Sequence, residues 1–330
     1  MGGLRLSIAI GDYDRNRPLI DGVVGIDAVD PVIMTLSPEE IFFRAMRQEA
    51  FDICELSLSS FVLRTARGDC PYVGVPAFLS RAFRHTSIII RTDRGIRTPQ
   101  DLKGKRVGTP EWQLTANVWA RALLAEDYGV RPSDIHWVRG GLEESGRQEK
   151  LEVTLPAGVD VEDIGPDKTL NAMLQAGEID AFIGPRAPTA FTNGHPNLAW
   201  LFADPTREAM DYYRRTQIFP IMHLVGVRRS IAEAQPWLPM AVLKAFEQSK
   251  SLALAHLADT SATKVTLPFV EEQLSQARQL MGHNYWSYGL PSNRDVLEKF
   301  TRYHHEQGIS SRKVMVDELF HRSTHEAFKL

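Results

Sequence analysis

Residues 96–130 read IRTPQDLKGKRVGTPEWQLTANVWARALLAEDYGV. The opening, as part of GIRTPQDLKG at 95–104, is polar and turn-rich. KRVGTP then reads as a short strand, and LTANVWARALLAEDYG as a helix that ends in glycine. IHWVR at 135–139 supplies the next strand. A strand, a helix and a second strand in this order predict two parallel strands joined by a helical crossover. The stretch therefore predicts an α/β unit in the middle of the chain.

The same alternation extends in both directions. Leu4–Ile10 reads as a first strand ending at Gly11, and VDPVIMTL as a second. SPEEIFFRAMRQ follows as a helix, with Ser37 as N-cap, Pro38 at the first helical position and Glu40 three residues after the cap. FDICELSL is a third strand, and SSFVLRTARG begins a helix closed by Gly68. YVGVPAFL and TSIIIRT are further strands. Beyond the central unit and the polar stretch 139–169 come the helix KTLNAMLQAG and the strand IDAFIG. The strand FPIMHLVGVRRS leads into a C-terminal region, 231–330, that reads almost wholly as helix. The expected sheet is largely parallel and covered by helices.

A chain of 330 residues exceeds one compact core and predicts two domains. The composition, 43% hydrophobic and 24% charged, is that of an ordinary globular protein. A net charge of −3 argues against general binding to nucleic acid or a membrane surface. No apolar run reaches the length that spans a bilayer. The N-terminus reads as a strand rather than a secretory signal, and Cys54 and Cys70 form no disulfide framework or metal spacing. The expectation is a cytoplasmic protein.

The central stretch, with LQAGEIDAFIGPRAP further on, resembles the second lobe of the periplasmic-binding-protein type II fold. That resemblance implies two α/β lobes, a ligand cleft between them and crossovers near Ile88–Arg91 and Met222–Val227. Residues 1–90 and 222–330 would form lobe one, with the C-terminal helices, and 91–221 lobe two. FDICELSLSSF, PYVGVPAFLSRAFRHTSI, GTPEWQLTANVW, RGGLEESGRQEK, IFPIMHLVGVR and LMGHNYWSYGL together are similar to the 4,5-dihydroxyphthalate decarboxylase family. The resemblance implies a carboxy-lyase that turns a small aromatic dicarboxylate, 4,5-dihydroxyphthalate, into 3,4-dihydroxybenzoate. It also implies a homo-oligomer. No cofactor is expected.

Candidate site residues follow from chemistry at strand ends. Ser57 and Ser59 stand at a strand-to-helix junction, where free N–H groups and hydroxyls suit a carboxylate; plain capping is the alternative. Glu55 ends the same strand as a candidate acid or base, or as the partner of an arginine. Arg81, Arg84 and His85, in RAFRHTSIII, precede the first crossover. The arginines are expected to neutralise carboxylates and His85 to move a proton, against the alternative of a solvated loop. Across the cleft, Glu111 is a candidate acid, and Thr115 could cap its own helix and face the serines. Arg147 and Arg186 are candidate cations. His223, at the second crossover, is expected to face the same cleft as His85. The remaining histidines, His304 and His305 included, read as surface.

His85, Glu111 and His223 could alternatively form a two-histidine, one-carboxylate metal site, although no local ligand spacing supports it and none is expected. The competing function is a solute-binding protein that holds an aromatic carboxylate unchanged.

Overall fold

The computed structural model describes residues 3–327. Its strands are β1 Leu4–Ile10, β2 Val29–Thr35, β3 Ile53–Ser57, β4 Tyr72–Arg81, β5 Ile88–Arg91, β6 Arg106–Thr109, β7 His136–Arg139, β8 Asp160–Asp163, β9 Ala181–Ile183, β10 Leu198–Trp200 and β11 Ile221–Arg228. They form two sheets, β2-β1-β3-β11-β4 and β10-β5-β9-β6-β7-β8. The architecture is α/β with two lobes, as expected.

Both sheets are mixed rather than largely parallel. β11 returns from the second sheet and runs antiparallel to both β3 and β4, while β5 runs antiparallel to β9 and β10. This relocates the expected crossovers. Ile88, Ile89 and Ile90 pair with Ile183, Phe182 and Ala181, so they belong to the core of the second sheet. Met222–Val227 belongs to the first sheet. The chain passes between sheets just before each of these strands, at 82–87 and again before Ile221, where Ala82 N donates to Pro220 O.

Local sequence accounts for the elements around the cleft. Ser37 Oγ accepts from Glu40 N, and Pro38 opens the Pro38–Gln48 helix. Gly68, at φ 76°, closes the Leu58–Arg67 helix in the left-handed conformation that glycine adopts without strain. Leu4–Ile10 pairs in register with Val29–Thr35 and meets β3 at Ile8 and Ala9. The carboxyl ends of β1, β3, β6, β7 and β9 bring Gly11, Ser57, Thr109, Arg139 and Ile183 towards the space between the sheets, where open α/β sheets bind ligands. The Arg294–Glu306 helix closes one side and packs against the Thr115–Tyr128 helix, with Trp119 against Phe300 and Tyr303. Among the described residues no helix is long and apolar enough to cross a membrane.

Candidate active site

β3 is buried along its whole length, and alternation puts Glu55 and Ser57 on one face. Antiparallel β11 sets His223 opposite Ser57 and Val225 opposite Glu55. His223 is therefore the diagonal neighbour of Glu55 on that face. The result is a short hydrogen bond, 2.6 Å, between His223 Nδ1 and Glu55 Oε1. Tyr13 Oη donates to the same oxygen at 2.9 Å, and Gly11 N donates to Oε2 at 2.9 Å. A Cβ at residue 11 would lie 2.4 Å from the Tyr13 ring, so glycine there lets the ring fold back over the strand end.

Glu55 is fully buried. Burial alone would raise its pKa, but the hydrogen bonds from His223, the Gly11 N–H and the Tyr13 hydroxyl hold it below the usual carboxylate value. Burial and then the charge of Glu55 push the Tyr13 phenol well up, so it remains a donor. With Nδ1 engaged, Nε2 is the nitrogen of His223 left for other partners, and among the described residues none bonds it. Phe42 packs edge-on against the imidazole, with ring centroids 4.8 Å apart.

Phe42 also links the dyad to the opposite wall. The Lys150 ammonium lies 5.8 Å from its ring centroid, and Lys150 N donates to Glu111 Oε2 at 3.0 Å. Glu111 is buried, and Oε1 accepts from Arg147 Nε at 2.9 Å and Nη2 at 2.6 Å. Arg147 reaches Glu39 as well, at 3.3 Å. Glu111 is thus a neutralised ion-pair partner rather than the free acid expected. Arg186 is 65% exposed and touches only Glu39 among described ion pairs, at 3.6 Å. Glu39, Leu114, Gly141, Arg147 and Arg186 line a cavity of 420 Å³, a volume suited to one small ligand.

The two helix N-termini meet directly. Ser57 Oγ lies 3.0 Å from Thr115 Oγ1, and Ser59 N donates to the same hydroxyl at 3.0 Å. Thr115 therefore caps the helix across the cleft instead of its own. Ser60 Oγ donates to Gln113 Oε1 at 3.2 Å.

Three further expectations are corrected. Arg81 is buried and binds no carboxylate among the described residues. Its guanidinium donates to Phe219 O at 3.0 Å, Ser287 O at 2.8 Å and Asn293 Oδ1, because β4 carries it under the C-terminal segment. His85 does not share a cleft with His223. Its ring packs against Phe202 and Tyr212 and lines a separate cavity of 320 Å³ with Phe83, Pro205, Ala209 and Leu280. The neighbouring Arg84 also turns from the carboxylates, its Nε reaching Met222 Sδ at 3.2 Å. His85, Glu111 and His223 consequently do not converge, and among the described residues no group of three or more metal-binding side chains does. Third, His304 is fully buried rather than at the surface.

Burial pushes the His85 pKa down to about 4, with Asp127 opposing and Arg215 reinforcing the shift. The unfolded chain binds a proton near pH 6.5 and the folded one only near 4. Stability from keeping this ring neutral is therefore present above pH 6.5 and lost as the pH falls towards 4, about 2 kcal/mol of it by pH 5. His85→Phe keeps the aromatic packing and should flatten the fall of Tm between pH 7 and 5. An unchanged slope would contradict this account.

Tyr13, Phe42, Glu39 and Lys150 are neighbours of the site that the sequence reading missed. An aromatic residue two positions beyond a glycine-terminated strand was the available signal for Tyr13.

Residues 45–150 match the family model described as NMT1/THI5 like. The chain is 56% identical over 330 residues to a 4,5-dihydroxyphthalate decarboxylase of Comamonas testosteroni, covering 100% of both chains. It is 60% identical over 214 residues to a protein of the same name from Pseudomonas putida, covering 65% of this chain and 83% of that one. The alkanesulfonate-binding protein SsuA from Xanthomonas axonopodis pv. citri shares the fold, with a TM-score of 0.53 at 14% identity, covering 97% of this chain and 99% of that structure.

Proposed function

The chain belongs to the 4,5-dihydroxyphthalate decarboxylase family, and from that premise we propose that it is a carboxy-lyase converting 4,5-dihydroxyphthalate into 3,4-dihydroxybenzoate and carbon dioxide. The observation that carries the mechanism is the 2.6 Å Glu55–His223 bond beside two opposed helix N-termini.

Direct loss of carbon dioxide from an arene would leave an aryl anion. A hydroxyl para to the departing carboxylate avoids this. His223 Nε2 takes the phenol proton, and Glu55 stabilises the imidazolium that forms. The oxygen's electrons reach the ring carbon that bears the carboxylate. That carbon takes up a proton, the C–C bond breaks, and its electron pair restores the aromatic ring. His223 then returns its proton to the phenoxide, so each turnover releases one carbon dioxide and consumes one proton. Tyr13 and Gly11 keep Glu55 anionic and in place.

The substrate's spectator carboxylate is assigned to the Ser57 and Ser59 donors, in the place that the Thr115 hydroxyl holds, and its charge to Arg186 with Arg147 at the cavity wall. Arg84 stands at the connection between lobes and has no carboxylate partner among the described residues, which leaves it able to act on lobe closure. The test is incubation of purified protein with 4,5-dihydroxyphthalate. Equal amounts of 3,4-dihydroxybenzoate and carbon dioxide are expected, and binding without product would overturn the reading.

Cytoplasmic location and a homo-oligomer belong to the same proposal. The buried, unpaired Cys54 and Cys70 suit a reducing compartment. Exposed Leu252, Leu267 and Phe269 suit contact between copies. A native mass equal to one chain would exclude the oligomer.

A further inference from the structure

The Arg294–Glu306 helix sends one polar ring into the protein. His304 is 0% exposed, and its Nε2 lies 2.9 Å from Ser59 Oγ and 3.1 Å from Ser59 O. Its Nδ1 is buried with no partner among the described residues. Phe300 packs against the ring, with centroids 5.7 Å apart.

These contacts fix the tautomer. A carbonyl oxygen can only accept a hydrogen bond, so the nitrogen beside Ser59 O carries the proton. Nε2–H then points between Ser59 O and Ser59 Oγ, and Nδ1 keeps the lone pair. Burial pushes the pKa of His304 down to about 3, so the ring is neutral near pH 7.

The tautomer sets the direction of the next bond. Ser59 Oγ accepts from His304, and its own O–H must turn away from the imidazole. Among the described residues no protein acceptor takes that proton. Ser59 N meanwhile donates to Thr115 Oγ1, the hydroxyl that Ser57 Oγ also contacts. An anionic oxygen in the place of Thr115 Oγ1 would accept the same N–H. Ser59 is fully buried, so a carboxylate reaches it by displacing the Thr115 hydroxyl, and it then meets two donors, N–H and O–H, at the positive end of the helix.

We propose that His304 is a positioning residue that makes Ser59 a double hydrogen-bond donor to one carboxylate of the substrate. This rests on the decarboxylase reading for the identity of the substrate. The carboxylate it serves is the spectator, because the departing carboxylate must shed its hydrogen bonds to leave as neutral carbon dioxide, whereas the spectator keeps its charge throughout the reaction. His304 thus bears on substrate recognition and leaves the chemical step alone.

The experiment compares wild type, His304→Leu and His304→Gln. Leucine removes the donor and glutamine restores an N–H of similar reach. His304→Leu should raise KM for 4,5-dihydroxyphthalate about tenfold and leave kcat within about threefold. His304→Gln should return KM to within about threefold of wild type, which filling the core alone would not do. Phthalate, which has both carboxylates and no hydroxyl to deprotonate, should lose affinity in parallel when its binding is measured by calorimetry. That arm needs no turnover, so it tests the inference even if wild type fails to decarboxylate. Should His304→Leu not fold, Ser59→Ala carries the same expected rise in KM and loss of phthalate affinity. Unchanged phthalate affinity in a folded His304→Leu or Ser59→Ala protein would overturn the proposal, as would glutamine behaving like leucine.

Discussion

His223→Gln is expected to lower kcat on 4,5-dihydroxyphthalate by about 10²–10⁴-fold while KM changes by less than about threefold, the range lost when a positioned general base is removed. Glutamine is the informative replacement. Its amide N–H can still donate to Glu55, which is fully buried and would otherwise be left with one partner fewer. The substitution thus removes proton transfer while keeping a hydrogen bond to Glu55. The imidazole is held on three sides: by Glu55 at Nδ1, by Phe42 packed edge-on, and by the β11 backbone, which pairs with β3 at Ser57. Steady-state kinetics check the result, with circular dichroism as the control for folding. A kcat within tenfold of wild type would remove His223 from the chemistry.

The second large effect belongs to Arg186. Arg186→Ala should raise KM about 10–100-fold with kcat within about threefold, because a charge-assisted bond to a carboxylate is worth about 1.5–3 kcal/mol. This residue separates binding from stability better than its neighbour does. Arg186 is 65% exposed and meets Glu39 only at 3.6 Å, so its loss should shift stability by less than about 0.5 kcal/mol. Arg147 instead holds buried Glu111 through two bonds. Removing it would leave that carboxylate short of a partner, at a cost of about 3–5 kcal/mol, and any change in KM would be confounded by misfolding. An unchanged KM in Arg186→Ala would place the carboxylates elsewhere in the cleft.

The strand–helix alternation was legible in the sequence because caps and stops mark it: Ser37 with Pro38, Gly68, and the glycine that ends the Thr115–Tyr128 helix. β8 and the Pro205–Thr216 helix were missed. β8 is the four-residue segment Asp160–Asp163, acidic and largely exposed, and carries no apolar run to betray a strand. Strand ends pointed to Glu55, Ser57, Thr115 and Arg186, since the carboxyl edge of an α/β sheet faces the cleft. Partners were harder to read. Glu55 and His223 stand 168 residues apart, and only the return of β11 between β3 and β4 joins them. His85 was paired with His223 because the resemblance places both at crossovers, and the packing of His85 against Phe202 and Tyr212 in a separate cavity defeats that pairing. His304 had a signal that went unread. Leu297, Phe300 and His304 recur at helical spacing, and all three are buried, whereas His305 is exposed.

The central claim is that Glu55 and His223 act as one unit. A double-mutant cycle measures this directly, with kcat determined for Glu55→Gln, His223→Gln and the double variant. If the pair is a unit, the double variant should be no more than about threefold slower than the slower single variant. Losses that multiply across the two sites would contradict it.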